Sequence, residues 1–215
     1  MKTGLFITIE GTDGAGKSTQ VECLKNTLAN NQIEFVLTRE PGGSPLGEAL
    51  RDLLLQRENI NISVKAQLLM MFAARAQHLE EIIIPTLQQG KWVICDRFTD
   101  ATYAYQGGAG GLGLDAVGTI EQWTQDDLRP DLTLLLDIPV ETGMARTEGR
   151  GESKDRFEKQ GIEFKKKIRE TYLELANRFP HRIQRIDATS SIEQVSGQIT
   201  NLITSKIGEW NCIPG

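Results

Sequence analysis

Cysteine is scarce in this sequence. Its three copies, Cys23, Cys95 and Cys212, form no CxxC pair, and their odd number leaves no complete disulfide framework. That usage fits a reducing cytoplasm, which is the expected location. Long apolar runs are missing as well: no stretch approaches the ~20 residues a helix needs to cross a bilayer. The short run after Met1-Lys2-Thr3-Gly4 ends at Glu10, before it can form a secretory signal, and carries no cleavage pattern. A soluble, unexported protein is expected. Nor is there a surplus of cations. A formal net charge of -5 argues against the broad basic surface that holds nucleic acid without regard to sequence. Neither nucleic acid nor membrane is an expected partner, although a small local phosphate site remains open. No fixed-period repeat or low-complexity tract occurs.

What is present is the composition of an ordinary globular protein, 39% hydrophobic and 25% charged over 215 residues, which suits one domain spanning 1–215. Apolar runs at Leu5–Glu10, Glu34–Leu37, Trp92–Cys95, Leu132–Leu136 and Arg182–Ile186 read as strands. Helix-length segments lie between them, at Ser18–Leu28 and at about 46–56, 64–84, 115–127, 140–148, 157–178 and 192–207. This alternation predicts an α/β fold of three layers, a parallel sheet with helices on both faces. In such a fold ligands sit beyond the carboxyl ends of the strands, so the residues just after each strand are where chemistry is expected. The glycine-rich stretch Gln106–Gly113 reads as a mobile loop.

After the first strand comes Gly11-Thr12-Asp13-Gly14-Ala15-Gly16-Lys17-Ser18, followed by Thr19. The segment satisfies GxxxxGK[ST] between a strand and a helix. Its glycines let backbone N–H groups curl around phosphate oxygens, Lys17 supplies a charge near the β- and γ-phosphates, and Ser18 can ligate Mg²⁺. A structural glycine turn with an incidental lysine is the competing reading, and the strand-loop-helix context weighs against it. The expected ligand is a nucleoside triphosphate. GTPases, motor ATPases and small-molecule kinases share this cradle, so the remaining motifs must decide the reaction.

Two further strands end in charge. Thr38-Arg39-Glu40-Pro41-Gly42-Gly43 places Arg39 at a turn where its planar fork can grip an anion; a solvated Arg39 and Glu40 pair is the bland alternative. In Cys95-Asp96-Arg97-Phe98, Asp96 can support Mg²⁺ directly or through water and Arg97 can hold a phosphate, unless the two form a structural ion pair. Phe72 and Arg75, three apart on a predicted helix, can offer a ring and a guanidinium to a flat base; taken alone, such a phenylalanine is more often core. Arg146, Arg150 and Arg156 surround a polar, glycine-containing segment at about 146–157, either a closing lid or a solvated loop between helices. No basic residue occupies Thr12 to Ala15, so any further positive charge on the phosphates must arrive from elsewhere, and that lid is the evident donor.

The whole set resembles bacterial thymidylate kinases: Glu10-Gly11 through Ser18-Thr19, Thr38 to Gly43, Asp96-Arg97-Phe98, Tyr105-Gln106-Gly107-Gly108, Arg129-Pro130-Asp131 and Asp155-Arg156-Phe157-Glu158. The likeness covers nearly the whole chain. It implies a five-stranded P-loop kinase core that turns dTMP and ATP into dTDP and ADP with Mg²⁺, acting as a homodimer. It also implies roles by position. Asp13 looks like the carboxylate that accepts from the deoxyribose 3′-hydroxyl, Arg39 and Arg97 like the 5′-phosphate grips, Phe72 like the stacking ring and Arg75 like the thymine carbonyl partner. Thr102 and Gln106 fall at the base edge, and Tyr105 resembles the residue that crowds a ribose 2′-hydroxyl. Among the lid arginines Arg150 is the first choice for the catalytic cation, with Arg146 and Arg156 as alternatives. Ile186-Asp187-Ala188 resembles the segment before an adenine-contacting loop. The transfer expected is in line, with no protein nucleophile and no strong general base, because the acceptor phosphate is already an anion.

Overall fold

The computed structural model describes residues 3–57, 59–148 and 155–212. Among them one parallel sheet is built from β1 (Phe6–Gly11), β2 (Phe35–Arg39), β3 (Trp92–Asp96), β4 (Leu132–Asp137) and β5 (Ile183–Asp187), in the order β2-β3-β1-β4-β5. β1 lies at the centre, and both it and β4 are buried at every residue, which is why they read as continuous apolar runs. Successive residues face opposite sides. Leu132, Leu134 and Leu136 join a core with Ile7, Ile9, Leu24 and Ile199, whereas Leu135 joins Ile168, Tyr172 and Leu175 on the other face. The first core is roofed by α1 (Lys17–Asn30) and α9 (Ile192–Asn211), the second by α8 (Ile162–Arg178). Register sets the chemistry: Asp96 lies level with both Ile9 and Arg39, and Gly11 with Leu136, so four strands deliver their charged or glycine ends to one edge.

Local chemistry fixes the helix starts. Ser44 caps α2 (Pro45–Leu55) by accepting from Gly47 N at 3.1 Å, with Pro45 in the first turn where no N–H is needed. Ser63 caps α3 (Val64–His78), and Ser191 with Gln194 forms a capping box on α9. The single helix expected over 64–84 is broken. After α3 a π-helical turn spans Leu79–Ile83, and α4 (Ile84–Gln88) follows. Pro85 explains the break, since its ring has no N–H and would strike the carbonyl four residues back, so an extra residue is inserted there.

Two other expectations need correction. The segment Gln106–Gly113 is not a loop throughout. α5 (Thr99–Thr102) runs into a π-helical stretch, Tyr103–Ala109, that packs against α8. A Cβ on Gly108 would lie 1.9 Å from Thr171 Oγ1, so the glycine is there for close approach of two helices. The helix expected over 157–178 begins at Ile162; before it, Asp155 caps a separate turn by accepting from Phe157 N at 2.7 Å and Glu158 N at 2.9 Å. α6 (Leu114–Gln125) and α7 (Val140–Glu148) stand where expected. Among the described residues no helix is long and apolar enough to cross a membrane.

Candidate active site

Between the end of β1 and the start of α1 the chain folds over Thr12 to Gly16. Gly11, Gly14 and Gly16 have φ of 143°, 79° and 91°, values that L side chains rarely adopt. A Cβ on Gly14 would also lie 2.1 Å from Gly143 O on α7, so the loop is pinned against the next helix. Gly16 caps α1 with no side-chain acceptor, leaving the first N–H groups of the helix aimed into the loop as a ready anion site. Lys17 folds back, donating from Nζ to Gly11 O at 3.1 Å and Thr12 O at 3.3 Å. Withdrawal from water, and next the nearby Arg97, push its ammonium down to about 8. The negative charge of a bound polyphosphate would oppose this shift and favour the ammonium. Ala15 lies beneath the loop, Ser18 and Thr19 are exposed in the first turn of α1, and Thr12 Oγ1 is buried with no partner among the described residues.

Beside this cradle opens a cleft, its outer end lined by Asp13, Arg39, Arg51, Asp96 and Arg97. Arg97 holds φ of 68°, unusual for a side chain of its size. Its backbone is caged: Arg97 N donates to Ile9 O at 3.0 Å, Cys95 Sγ donates to Arg97 O at 3.0 Å, and the next amide, Phe98 N, donates to Glu10 Oε1 at 2.7 Å. Its guanidinium donates to Asp13 Oδ1 at 3.0 Å and to the Tyr172 hydroxyl at 3.3 Å, over the Tyr105 ring. Tyr172 in turn donates to Glu10 Oε2 at 2.7 Å. Burial first, and then Asp100, raise the Glu10 carboxyl to about 8. Arg39 is half exposed and pairs with Glu48 at 3.1 Å. Arg51, which the sequence did not single out, donates to Pro41 O at 2.8 Å. Its guanidinium is pushed below the ordinary range, first by burial and then by the neighbouring Arg39.

The inner end of the cleft is polar and fully buried. Arg75 donates from Nε to Glu40 Oε2 at 2.8 Å and from Nη2 to Thr102 Oγ1 at 2.9 Å. Its Nη1 and the Oε1 of Gln106 have no partner among the described residues, and both residues line the cleft. Phe72 departs from the expectation. At 3% exposure it packs with Leu68 and Val117, and the α3 residues on the cleft wall are Arg75 and Met71, the latter one position before Phe72. The reason is helical phase: Met71 and Arg75 are four apart and share a face, while Phe72 turns about 100° toward α6. Its ring still supports the site, since the Arg75 guanidinium lies 4.6 Å from the Phe72 centroid and 5.0 Å from that of Phe98. Tyr105 closes the opposite wall against Phe157, and burial keeps its hydroxyl neutral by raising it far above the ordinary range.

At the junction of cradle and cleft, Asp96 Oδ1 is buried without a partner among the described residues. An orphaned carboxylate oxygen a strand away from Ser18 fits a hard cation that takes few protein ligands and keeps waters and phosphates as the rest. No group of three or more His, Cys, Asp or Glu side chains that could cage a metal exists among the described residues. Of the three arginines expected at a lid, Arg146 donates to Ala188 O at 3.1 Å, and Arg156 Nη2 donates to Arg57 O at 2.6 Å and Ile60 O at 2.9 Å. Arg150 lies outside the described residues.

Fold and cradle together define the P-loop kinase class. The thymidylate kinase family model matches residues 9–199. The chain is 50% identical over 210 residues to a thymidylate kinase of Alkalilimnicola ehrlichii, covering 98% of this chain and 97% of that one. It is also 50% identical over 201 residues to one of Pseudomonas putida, covering 94% and 95%. A crystal structure of thymidylate kinase from Ehrlichia chaffeensis superposes with a TM-score of 0.76 at 32% identity, covering 94% of this chain and 99% of that one. This chain belongs to the thymidylate kinase family.

Proposed function

We propose that the protein transfers the γ-phosphoryl group of ATP to the 5′-phosphate of dTMP, giving ADP and dTDP for dTTP synthesis in the cytoplasm. The observation that carries the acceptor's identity is the unpartnered pair at the inner end of the cleft. Arg75 Nη1 offers a donor and Gln106 Oε1 an acceptor, the complement of the adjacent C4 carbonyl and N3–H of thymine. Cytosine presents the reverse pattern and would leave both buried groups unpaired. At the outer end Arg97 and Arg39 hold the 5′-phosphate, Arg51 adds a third cation, and Asp13 accepts from the deoxyribose 3′-hydroxyl while orienting Arg97. Tyr105 crowds the position of a 2′-hydroxyl. Met71 takes the wall position expected of Phe72, whose part becomes support for Arg75.

The triphosphate occupies the amides of Gly11 to Thr19. Its adenine end lies toward Arg146 and the segment after β5. Ser18 and Asp96 would hold Mg²⁺, which when bound offsets charge on the phosphates. The acceptor oxygen is already ionised near neutral pH, so the protein's share is alignment by Arg39, Arg97 and Asp13 and charge compensation by Lys17 and a lid arginine. Arg150 remains the first choice for that cation, since Arg146 and Arg156 are engaged with backbone carbonyls. One catalytic domain with a lid over about 146–157, working as a homodimer, completes the reading. The test is an acceptor panel: purified protein with ATP, Mg²⁺ and each of dTMP, dUMP, UMP, CMP, AMP and GMP. Rapid dTDP formation from dTMP is expected. ATP hydrolysis that ignores the acceptor would instead indicate a nucleotide-switched binding protein.

A further inference from the structure

We infer that His78, acting through Glu40, is a positioning residue that sets how Arg75 reads the base and ties that reading to the phosphate-gripping turn. The inference rests on the proposed dTMP site and adds a residue to it. His78 ends α3, three positions after Arg75, and is fully buried. Its Nδ1 lies 2.9 Å from Glu40 Oε1 and its Nε2 lies 2.7 Å from Thr38 Oγ1. The other oxygen of Glu40 accepts from Arg75 Nε at 2.8 Å. A Cβ on Gly43 would come within 2.3 Å of His78 Nε2, so the ring also lies directly beneath the turn that follows Arg39. One imidazole therefore touches the end of β2, the turn on the phosphate side and the carboxylate that holds Arg75.

The chemistry of the carboxylate explains why this matters. A carboxylate facing a guanidinium prefers to close a two-toothed fork, one oxygen on Nε and one on Nη2. Here the ring occupies Oε1, so Glu40 meets Arg75 through Oε2 alone. That leaves Nη2 for Thr102 and Nη1 for the cleft. Without the ring nitrogens, Glu40 rotates to complete the fork, Arg75 leaves Thr102, and the donor aimed at the base edge turns away. A carboxylate oxygen accepts, so the hydrogen is assigned to Nδ1 and Nε2 is left to accept from Thr38.

The experiment compares wild type with His78→Phe, which keeps a ring and removes both nitrogens, and His78→Gln, which can still donate to Glu40 and accept from Thr38. For each, KM and kcat are measured for dTMP, KM for ATP, and the preference for dTMP over 5-methyl-dCMP, which differs at the base edge Arg75 reads. His78→Phe is expected to raise the dTMP KM about tenfold, the weight of one hydrogen bond to a charged group. The preference over 5-methyl-dCMP should fall by a similar factor, with kcat and the ATP KM within about twofold of wild type. His78→Gln should recover most of both losses. Should His78→Phe fail to fold, Thr38→Val removes the Nε2 partner alone and must move dTMP KM and base preference in the same direction. A folded His78→Phe, or in its place a folded Thr38→Val, with unchanged dTMP KM and base preference overturns the inference. If wild type makes no dTDP, it is the assigned function that falls.

Discussion

At the scale of single residues, the site is governed by a few side chains held in costly states. Arg97 keeps a left-handed backbone because Ile9, Cys95 and Glu10 enclose its peptide, and its charge is aimed by Asp13 and Tyr172. Arg97→Ala should lower kcat for dTMP by at least about a hundredfold, the loss typical of one group aimed at developing charge, while thermal stability stays within a few degrees; steady-state kinetics beside a melting curve decides it, and near-normal turnover would end the assigned role. Glu10 gives a prediction in pH. Its carboxyl titrates near 8 in the fold against an ordinary 4.5. Below 4.5 both folded and unfolded chains hold the proton; between 4.5 and 8 only the fold does, so stability falls as pH rises and levels off above 8. Relative to Glu10→Gln, wild type should therefore lose up to about 1.4 kcal/mol per pH unit across that window in urea titrations, and a pH-independent difference would mean Glu10 is ionised throughout. Lys17, Asp13, Asp96 and Arg97 were legible in the sequence because each sits in a contiguous motif at a strand end. Glu40 was not legible as the partner of Arg75 and His78 because it lies 35 residues from Arg75 and 38 from His78. The choice between Met71 and Phe72 was hidden by helical phase, which a pair spaced by three does not determine.

At the scale of elements, the strands were readable because burial on both faces leaves unbroken apolar runs, and the P-loop was readable because strand, nest and helix are adjacent in sequence. The glycine run after Tyr105 was not. Glycine signals turn chemistry to a reader of sequence, yet at Gly108 it marks contact between the Tyr103–Ala109 stretch and α8, knowable only once both are placed. That contact makes a prediction. Gly108→Ala must displace Thr171, whose Oγ1 would sit 1.9 Å from the new methyl. Overpacking of this kind costs about 1–3 kcal/mol, to be read as a lower melting temperature. Adding Thr171→Ala should recover part of the loss while leaving the Cβ contact at 3.0 Å. A Gly108→Ala protein as stable as wild type would show that the two elements are not tightly seated.

At the scale of the whole molecule, one helix serves two sides. The inner face of α3 carries Met71 and Arg75 to the cleft, while its outer face exposes Leu69, Ala73 and Ala76, with Leu69 at 55%. α6, packed beside it, exposes Trp123 at 87%. A solvated helix face of this length normally carries charge, and an exposed apolar stripe on α3, with a bare indole on the helix packed against it, suits burial against a second copy. The proposed homodimer would then brace the wall that holds Arg75. Sedimentation equilibrium should give twice the 23.9 kDa of the chain, and Leu69→Glu with Trp123→Glu should return it to a single chain. Because the braced wall faces the acceptor and not the phosphate cradle, the monomeric variant should lose affinity for dTMP while its ATP KM stays close to wild type. Equal losses for both substrates would mean that the interface supports the fold as a whole rather than the acceptor site, and a wild-type monomer would place the apolar face of α3 outside any role in assembly.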